Sequence, residues 1–460
     1  MQGTAVNDLD VSLDILGQQP LLKIYTQICL CFPVSDASSH TVFIETLKSG
    51  LERLTSSFPW VAGQLVSEPS GKGSSEIFKI KTFGQTPRLV VKDLRGDPSV
   101  PSMDALQRAG FPFRMLDESV IAPRNTIPSP EEAASEWPVF ALQANFITGG
   151  LVLTIVGQHN AMDMIGQGQV IHLLSKACRN VPFTTEEISS GNLERKTLIP
   201  LLDDSYIPGT ELDHQIVKPP SVLIGGDKSG SAAASAPPKS TWTYFSFSPT
   251  SLASLKSLAT DTLPSGYIST DDALSAFVWQ SIIRARLPRL NPTGEATFTR
   301  AVDVRKFLGI PATYPGLMQT LTYHTSMVQE LVDKPLGVVA SYLRSTLDSK
   351  ALVYHTRALT TFIDRAIPGS VVSFTASLDL SIDLMLSSWA KLDCYELDFG
   401  LGLGTPESVR RPQFIPVESL GYLMPKARDG EIALGICLRN EDMERLKADT
   451  EFVKYGRCIE

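Results

Sequence analysis

Apolar residues run almost unbroken through Ile24-Tyr25-Thr26-Gln27-Ile28-Cys29-Leu30-Cys31-Phe32 and stop at Pro33, which predicts a strand. Residues 41–54 then carry apolar positions at helical spacing, as far as the breaker Ser56-Ser57-Phe58-Pro59. Short strands are predicted at 78–80 and 89–91. The run 150–156 has the near-continuous apolar character of a strand buried on both faces, and 162–178 turns helical directly after it. Strands and helices mixed without strict alternation predict an α+β fold built in layers.

Between 218 and 240 the pattern stops and the composition changes to Pro, Gly, Ser and Ala, as in Gly225-Gly226-Asp227-Lys228-Ser229-Gly230-Ser231-Ala232 and Pro237-Pro238. Such a stretch buries too little apolar surface to offset its ordering entropy, so it reads as a mobile crossover between two halves. The predicted division is an N-terminal domain over 1–218, a crossover over 219–240 and a C-terminal domain over 241–460. The second half restarts with the alternating strand Thr241-Trp242-Thr243-Tyr244-Phe245-Ser246-Phe247, followed by helices over 249–259 and 270–284. The latter has a clear start signal, with Ser269 or Thr270 as N-cap and Asp271 and Asp272 in the first turn. A charged amphipathic helix over 440–455 closes the chain.

Composition narrows the possibilities. A chain of 460 residues with 43% hydrophobic content can fill two cores. With a formal net charge of -8, it has no general basic field for a phosphate backbone, so nucleic acid is not an expected partner. No basic n-region leads into an apolar h-region at the N-terminus, and no apolar run approaches the roughly 20 residues that span a bilayer. The six cysteines, at 29, 31, 178, 394, 437 and 458, lack C-x-x-C spacing, and Asn291-Pro292-Thr293 is disqualified as a glycosylation site by its proline. These features predict a cytoplasmic protein without membrane contact, disulfide framework or zinc site.

The most informative segment for chemistry is Gly157-Gln158-His159-Asn160-Ala161-Met162-Asp163-Met164-Ile165-Gly166. A histidine delivered by a buried strand into a loop before a helix is rigidly held and can still face a cavity, and its ordinary pKa of about 6.5 suits proton abstraction. Asp163 could orient that loop. Equally, His159 could be a satisfied loop histidine and Asp163 a helix cap, because H-x-x-x-D is a short motif. A metal role lacks a third ligand at any nearby spacing. The segment Asp398-Phe399-Gly400-Leu401-Gly402-Leu403-Gly404 is neither a dinucleotide nor a phosphate loop by its spacing. It lacks the kinase loop that should precede an Asp-Phe-Gly triplet, and taken alone it reads as a turn.

Taken in order, His159-x-x-x-Asp163 and Asp398-Phe399-Gly400-x-Gly402 resemble the paired signature of the BAHD acyltransferases. The likeness extends through Phe58-Pro59-Trp60-Val61-Ala62-Gly63, Ser269-Thr270-Asp271-Asp272, Ala301-Val302-Asp303-Val304-Arg305 and Ser387-Ser388-Trp389 to nearly the whole chain. Within the family it is similar to the fungal trichothecene 3-O-acetyltransferase branch, through Asp14-Ile15-Leu16-Gly17-Gln18, Tyr314-Pro315-Gly316-Leu317 and 398–404. Leu401 stands where the broad family has Trp. Gln158 and Met164 stand where carrier-protein-dependent condensation domains have His and Gly.

The resemblance implies two chloramphenicol-acetyltransferase-like domains, mixed sheets flanked by helices, with the active site in a channel at their interface. It implies direct acetyl transfer from acetyl-CoA, a co-substrate rather than a bound cofactor, to a hydroxyl of a hydrophobic secondary metabolite, the C-3 hydroxyl of a trichothecene in particular. His159 is then the general base. Asp163, Asp398, Arg305, Gly400 and Gly402 are structural, with Asp398 paired to Arg305, while Ser269, Thr270, Ser388 and Lys256 line the coenzyme A side. No metal is implied, and a monomer is expected. Because coenzyme A is an anion and the chain is acidic, its site must concentrate a few cations locally. The other class kept open is a non-catalytic protein of the same fold that binds a small hydrophobic ligand or a partner.

Overall fold

The computed structural model describes residues 9–35, 40–69, 76–83, 89–217, 238–365 and 371–460. Most of the crossover expected over 219–240 falls outside the described residues.

The N-terminal half supplies β1 (Asp10–Ser12), β2 (Tyr25–Pro33), β3 (Gln64–Pro69), β4 (Glu76–Lys81), β5 (Leu89–Asp93), β6 (Phe140–Ile147) and β7 (Gly150–Gln158). It also supplies helices α1 (His40–Ser57) and α2 (Met164–Cys178). The C-terminal half supplies β8 (Ser240–Phe247), β9 (Glu295–Asp303), β10 (Gln319–Met327), β11 (Leu384–Ser388), β12 (Ser408–Arg410), β13 (Leu420–Leu423), β14 (Ile432–Arg439) and β15 (Gly456–Ile459). Its long helices are α3 (Pro249–Asp261), α4 (Thr270–Arg286) and α5 (Ser349–Arg365).

Two large mixed sheets organise the molecule. One has five strands in the order β12-β2-β7-β6-β5, the other seven in the order β10-β9-β11-β13-β14-β8-β15, and a third, of three strands, has the order β1-β4-β3. The parallel pairs are β5 with β6 and β11 with β9 and β13. This is the α+β architecture expected. The run over 150–156 is fully buried as β7, between β2 and β6.

The core of the five-stranded sheet packs Ile28, Leu30, Leu153 and Ile155 against Leu47, Leu51, Val170 and Leu174 of the helices over it. It also takes in Trp389, Leu392, Phe399, Val409 and Phe414. These come from the C-terminal half, whose β12 pairs antiparallel with β2 at Arg410 and Cys29. That crossing brings side chains of the second half to the strand from which the His159 loop hangs.

Helix α4 begins as predicted. Ser269 accepts from the Asp272 amide and Asp272 returns a bond to the Ser269 amide, a closed capping box. The helix expected over 440–455 ends instead at Ala448, where Asp449 accepts from the Glu451 and Phe452 amides and starts a new turn before β15.

Candidate active site

His159 directly follows β7, and its amide donates to the Ile24 carbonyl at 2.9 Å, tying the loop to the start of β2. The ring Nδ1 lies 3.1 Å from the Met162 carbonyl. A carbonyl can only accept, so Nδ1 carries the proton and the neutral ring keeps its lone pair on Nε2. Nε2 has no hydrogen-bond partner among the described residues, and the residue is partly exposed. Burial pushes the imidazole pKa below its usual value. The nearby Arg411 cation acts in the same direction, against the Met162 bond and Asp163. The ring is therefore a neutral base with an open nitrogen at physiological pH.

The loop around it is fixed by groups far away in sequence. Asn160 donates to the Gly17 and Gln19 carbonyls at 2.6 and 2.9 Å, while Gln158 donates to Asn160 and accepts from the Ala161 amide. Arg195 donates to the Ala161 carbonyl at 2.7 Å and pairs with the fully buried Asp14 at 3.2 Å. Asp14 also accepts from the Tyr314 hydroxyl and, at 3.0 Å, from the Leu317 amide. Burial raises the Asp14 pKa, and Arg195 opposes that rise most.

Asp163 is buried, caps α2 through the Gly166 amide at 2.7 Å and accepts from the Met318 amide at 2.7 Å. Its remaining partner is Arg305, at 3.0 Å. Arg305 also donates to the Tyr314 and Gly316 carbonyls and pairs with Asp303 at 2.8 Å. Every lone pair of Asp163 that could reach His159 is thus engaged elsewhere. Glycine is required at 166, because a Cβ there would come within 2.1 Å of the Pro315 carbonyl oxygen.

The pairing expected between Asp398 and Arg305 is not formed. Asp398 accepts from the Gly400 amide at 2.8 Å, closing its own turn, and Arg305 belongs to Asp163 and Asp303. Gly400, Gly402 and Gly404 have φ of +68°, +73° and +70°, so the motif is a left-handed turn that only glycine adopts without strain. It delivers Phe399 into the core against Phe32, edge to face at 6.3 Å.

The four residues expected on the coenzyme A side gather at the head of α4. Ser269 and Thr270 are its cap and first residue, Ser388 donates to Asp271 at 2.6 Å, and Lys256 donates to the Ile268 carbonyl. Lys256 and Arg344 both sit on the exposed Tyr267 ring, 4.7 and 5.4 Å from its centroid. This is a local concentration of cations in an acidic protein. The described residues contain no cluster of three side chains able to hold a metal ion, and none of their helices is long and apolar enough to cross a membrane.

Sequence reasoning found His159 and Asp163 but missed Asp14, Asn160, Arg195 and the capture of Arg305 by Asp163. The available signal was the string of polar residues within otherwise apolar stretches, Asp14 and Asn160 above all.

A neutral histidine held by its backbone between two sheet-containing halves, with a saturated aspartate behind it, defines an acyl-transfer site. Residues 118–453 match the Transferase family, and residues 24–178 match the trichothecene 3-O-acetyltransferase-like N-terminal domain. The chain belongs to the Transferase family, and it is an acyltransferase. It is 59% identical to the O-acetyltransferase dmxR13 of Cryptosporiopsis sp., over 99% of both chains. It is 54% identical to the trichothecene 3-O-acetyltransferase of Fusarium sporotrichioides, over 99% of this chain and 98% of that one. The crystal structure of the F. sporotrichioides protein complexed with coenzyme A and T-2 superposes with a TM-score of 0.90 at 53% identity, covering 98% of this chain and 100% of that one. Vinorine synthase, at 16% identity and a TM-score of 0.67, shares the fold.

Proposed function

We infer that this protein transfers the acetyl group of acetyl-CoA directly to a hydroxyl of a hydrophobic secondary metabolite, with the C-3 hydroxyl of a trichothecene as the specific substrate. The observation that carries the reading is the orientation of His159, whose Nδ1 is committed to the Met162 carbonyl while Nε2 is open. Nε2 takes the alcohol proton as the oxygen attacks the thioester carbonyl carbon. The tetrahedral intermediate collapses with cleavage of the C–S bond, and the proton passes from Nε2 to the departing thiolate. No covalent acyl-enzyme forms. Holding both substrates in one passage between the halves supplies the proximity term.

Support for the substrate comes from relatives. One solved structure is a complex with coenzyme A and T-2 and another a complex with coenzyme A and deoxynivalenol, both of trichothecene-branch proteins about half identical to this chain. In this reading Ser269, Thr270, Ser388 and Lys256 face coenzyme A, Asp163, Arg305, Asp398, Gly400 and Gly402 shape the loops, and the halves meet across a crossover at 219–240. The protein works as a cytoplasmic monomer that acetylates a toxic metabolite in self-protection.

The test is incubation with acetyl-CoA and a panel of alcohols, including a trichothecene with a free C-3 hydroxyl, while free thiol is followed. Thiol release with the trichothecene, and a product acetylated at C-3, is the expected result. Release only with other alcohols would move the substrate assignment toward the chemistry of the other O-acetyltransferases. Ligand binding without any release would favour a binding protein.

A further inference from the structure

Arg411 is the residue next to β12, and its side chain is almost wholly buried, at 1% exposure. Its Nη1 donates to the Gln27 carbonyl at 3.3 Å and its Nη2 to the Thr126 hydroxyl at 3.0 Å. Those partners flank the anchor of the His159 loop, since the Thr126 carbonyl accepts from the Tyr25 amide and the adjacent Ile24 carbonyl accepts from the His159 amide. The guanidinium lies among Phe414, Tyr422 and Trp389, with ring centroids at 4.3, 4.8 and 5.7 Å.

This cation has no ion-pair partner among the described residues, and its Nε has no acceptor. A buried charge without a carboxylate is costly, and aromatic faces with two neutral acceptors offset only part of that cost. Other buried arginines of the molecule, Arg195, Arg286 and Arg305, all have carboxylates within 4 Å. Glu118 comes near Arg411 only through Thr126, whose hydroxyl it accepts at 2.7 Å. The unpaired charge is therefore arranged for the site and not for the fold.

We propose that Arg411 is a positioning residue for the acetyl transfer, a fixed cation carried from the second half across β12 that holds His159 in its neutral, proton-accepting form. The inference rests on the reading of His159 as the base. The charged groups bearing on His159 are Asp163, from its own loop, which favours the protonated ring, and Arg411, which opposes it. The other titratable groups of the surrounding elements are Glu118, Tyr25, Tyr422 and Tyr244. Burial favours the uncharged form of each, so the guanidinium is the charge that faces the ring from that side.

The test is the pH dependence of kcat/KM in wild type, Arg411→Gln and Arg411→Lys. A positive neighbour disfavours the imidazolium, so its removal raises the histidine pKa and moves the acid limb to higher pH. The expected shift is about 0.5–1 pH unit in Arg411→Gln, with the limb close to wild type in Arg411→Lys. An Arg411→Gln protein whose acid limb stays in place, whatever its loss of rate or thermal stability, overturns the proposal. If Arg411→Gln does not fold, the wild type and Arg411→Lys decide. Limbs that coincide below pH 6.5 support it, and a wild-type limb above 6.5 or a displaced limb in Arg411→Lys overturns it. A wild type that transfers no acetyl group at all fails the functional reading itself, whereas an active wild type with an unmoved limb in Arg411→Gln fails this inference alone.

Discussion

Arg305 reaches across 142 residues of sequence to place Nη2 3.0 Å from Asp163 Oδ1, and so locks the loop after β7 to the segment between β9 and β10. Both side chains are almost fully buried, at 1% and 2% exposure. The bond joins the two halves directly behind His159. It also explains why Asp163 does not act on the proton: its oxygens are occupied by Arg305 and by the amides of Gly166 and Met318.

Removing one member of such a pair leaves the other charge buried and uncompensated. Asp163→Ala should cost about 3–5 kcal/mol of stability, with activity falling in step. Asp398, partly exposed and bonded to the Gly400 amide, should cost only about 1 kcal/mol when changed to Ala. Denaturant melts of the two variants check the contrast. An Asp163→Ala protein of wild-type stability without activity would instead put this carboxylate in the chemistry.

Asn160→Ala should leave the Gly17 and Gln19 carbonyls without their donor and let the loop relax by a fraction of an ångström to an ångström. A misplacement of that size costs about a hundredfold in rate. Steady-state kinetics should show the loss in kcat, with little change in coenzyme A affinity by calorimetry. An equal loss in coenzyme A affinity would mean that the loop binds instead of positioning the base.

The pH dependence of stability has a separate origin. His324 is fully buried, and desolvation pushes its pKa down to about 3, with Arg300 adding to the effect. The unfolded chain binds its proton below about pH 6.5 and the folded chain does not. Stability should therefore fall as pH drops from about 6.5 toward 3, by about 1.4 kcal/mol per pH unit for this one group. His324→Gln should flatten the curve by that slope in denaturant melts between pH 6.5 and 4. An unchanged slope would mean that His324 is not the group responsible.

What the sequence revealed follows from the range over which each signal acts. The strand β7, helix α1, the capping box of α4 and the His159 loop are written in local periodicity and local caps, and all are found where expected. The contiguous glycines of 398–404 announced a turn, and their three positive φ angles confirm it. Partnerships between buried charges are not local. Nothing near Arg305 in the chain distinguishes Asp163 from Asp398 as its mate, and the wrong one was expected. Asp14 with Arg195, and the insertion of β12 beside β2, likewise join segments that only the finished fold brings together.

The central claim is that His159 moves the proton in a direct transfer, and His159→Ala tests it most directly. The account predicts a fall in kcat of about two to four orders of magnitude, with coenzyme A affinity and melting temperature close to wild type, because base and binding site are separate. A variant that keeps more than about a tenth of the wild-type kcat would contradict it.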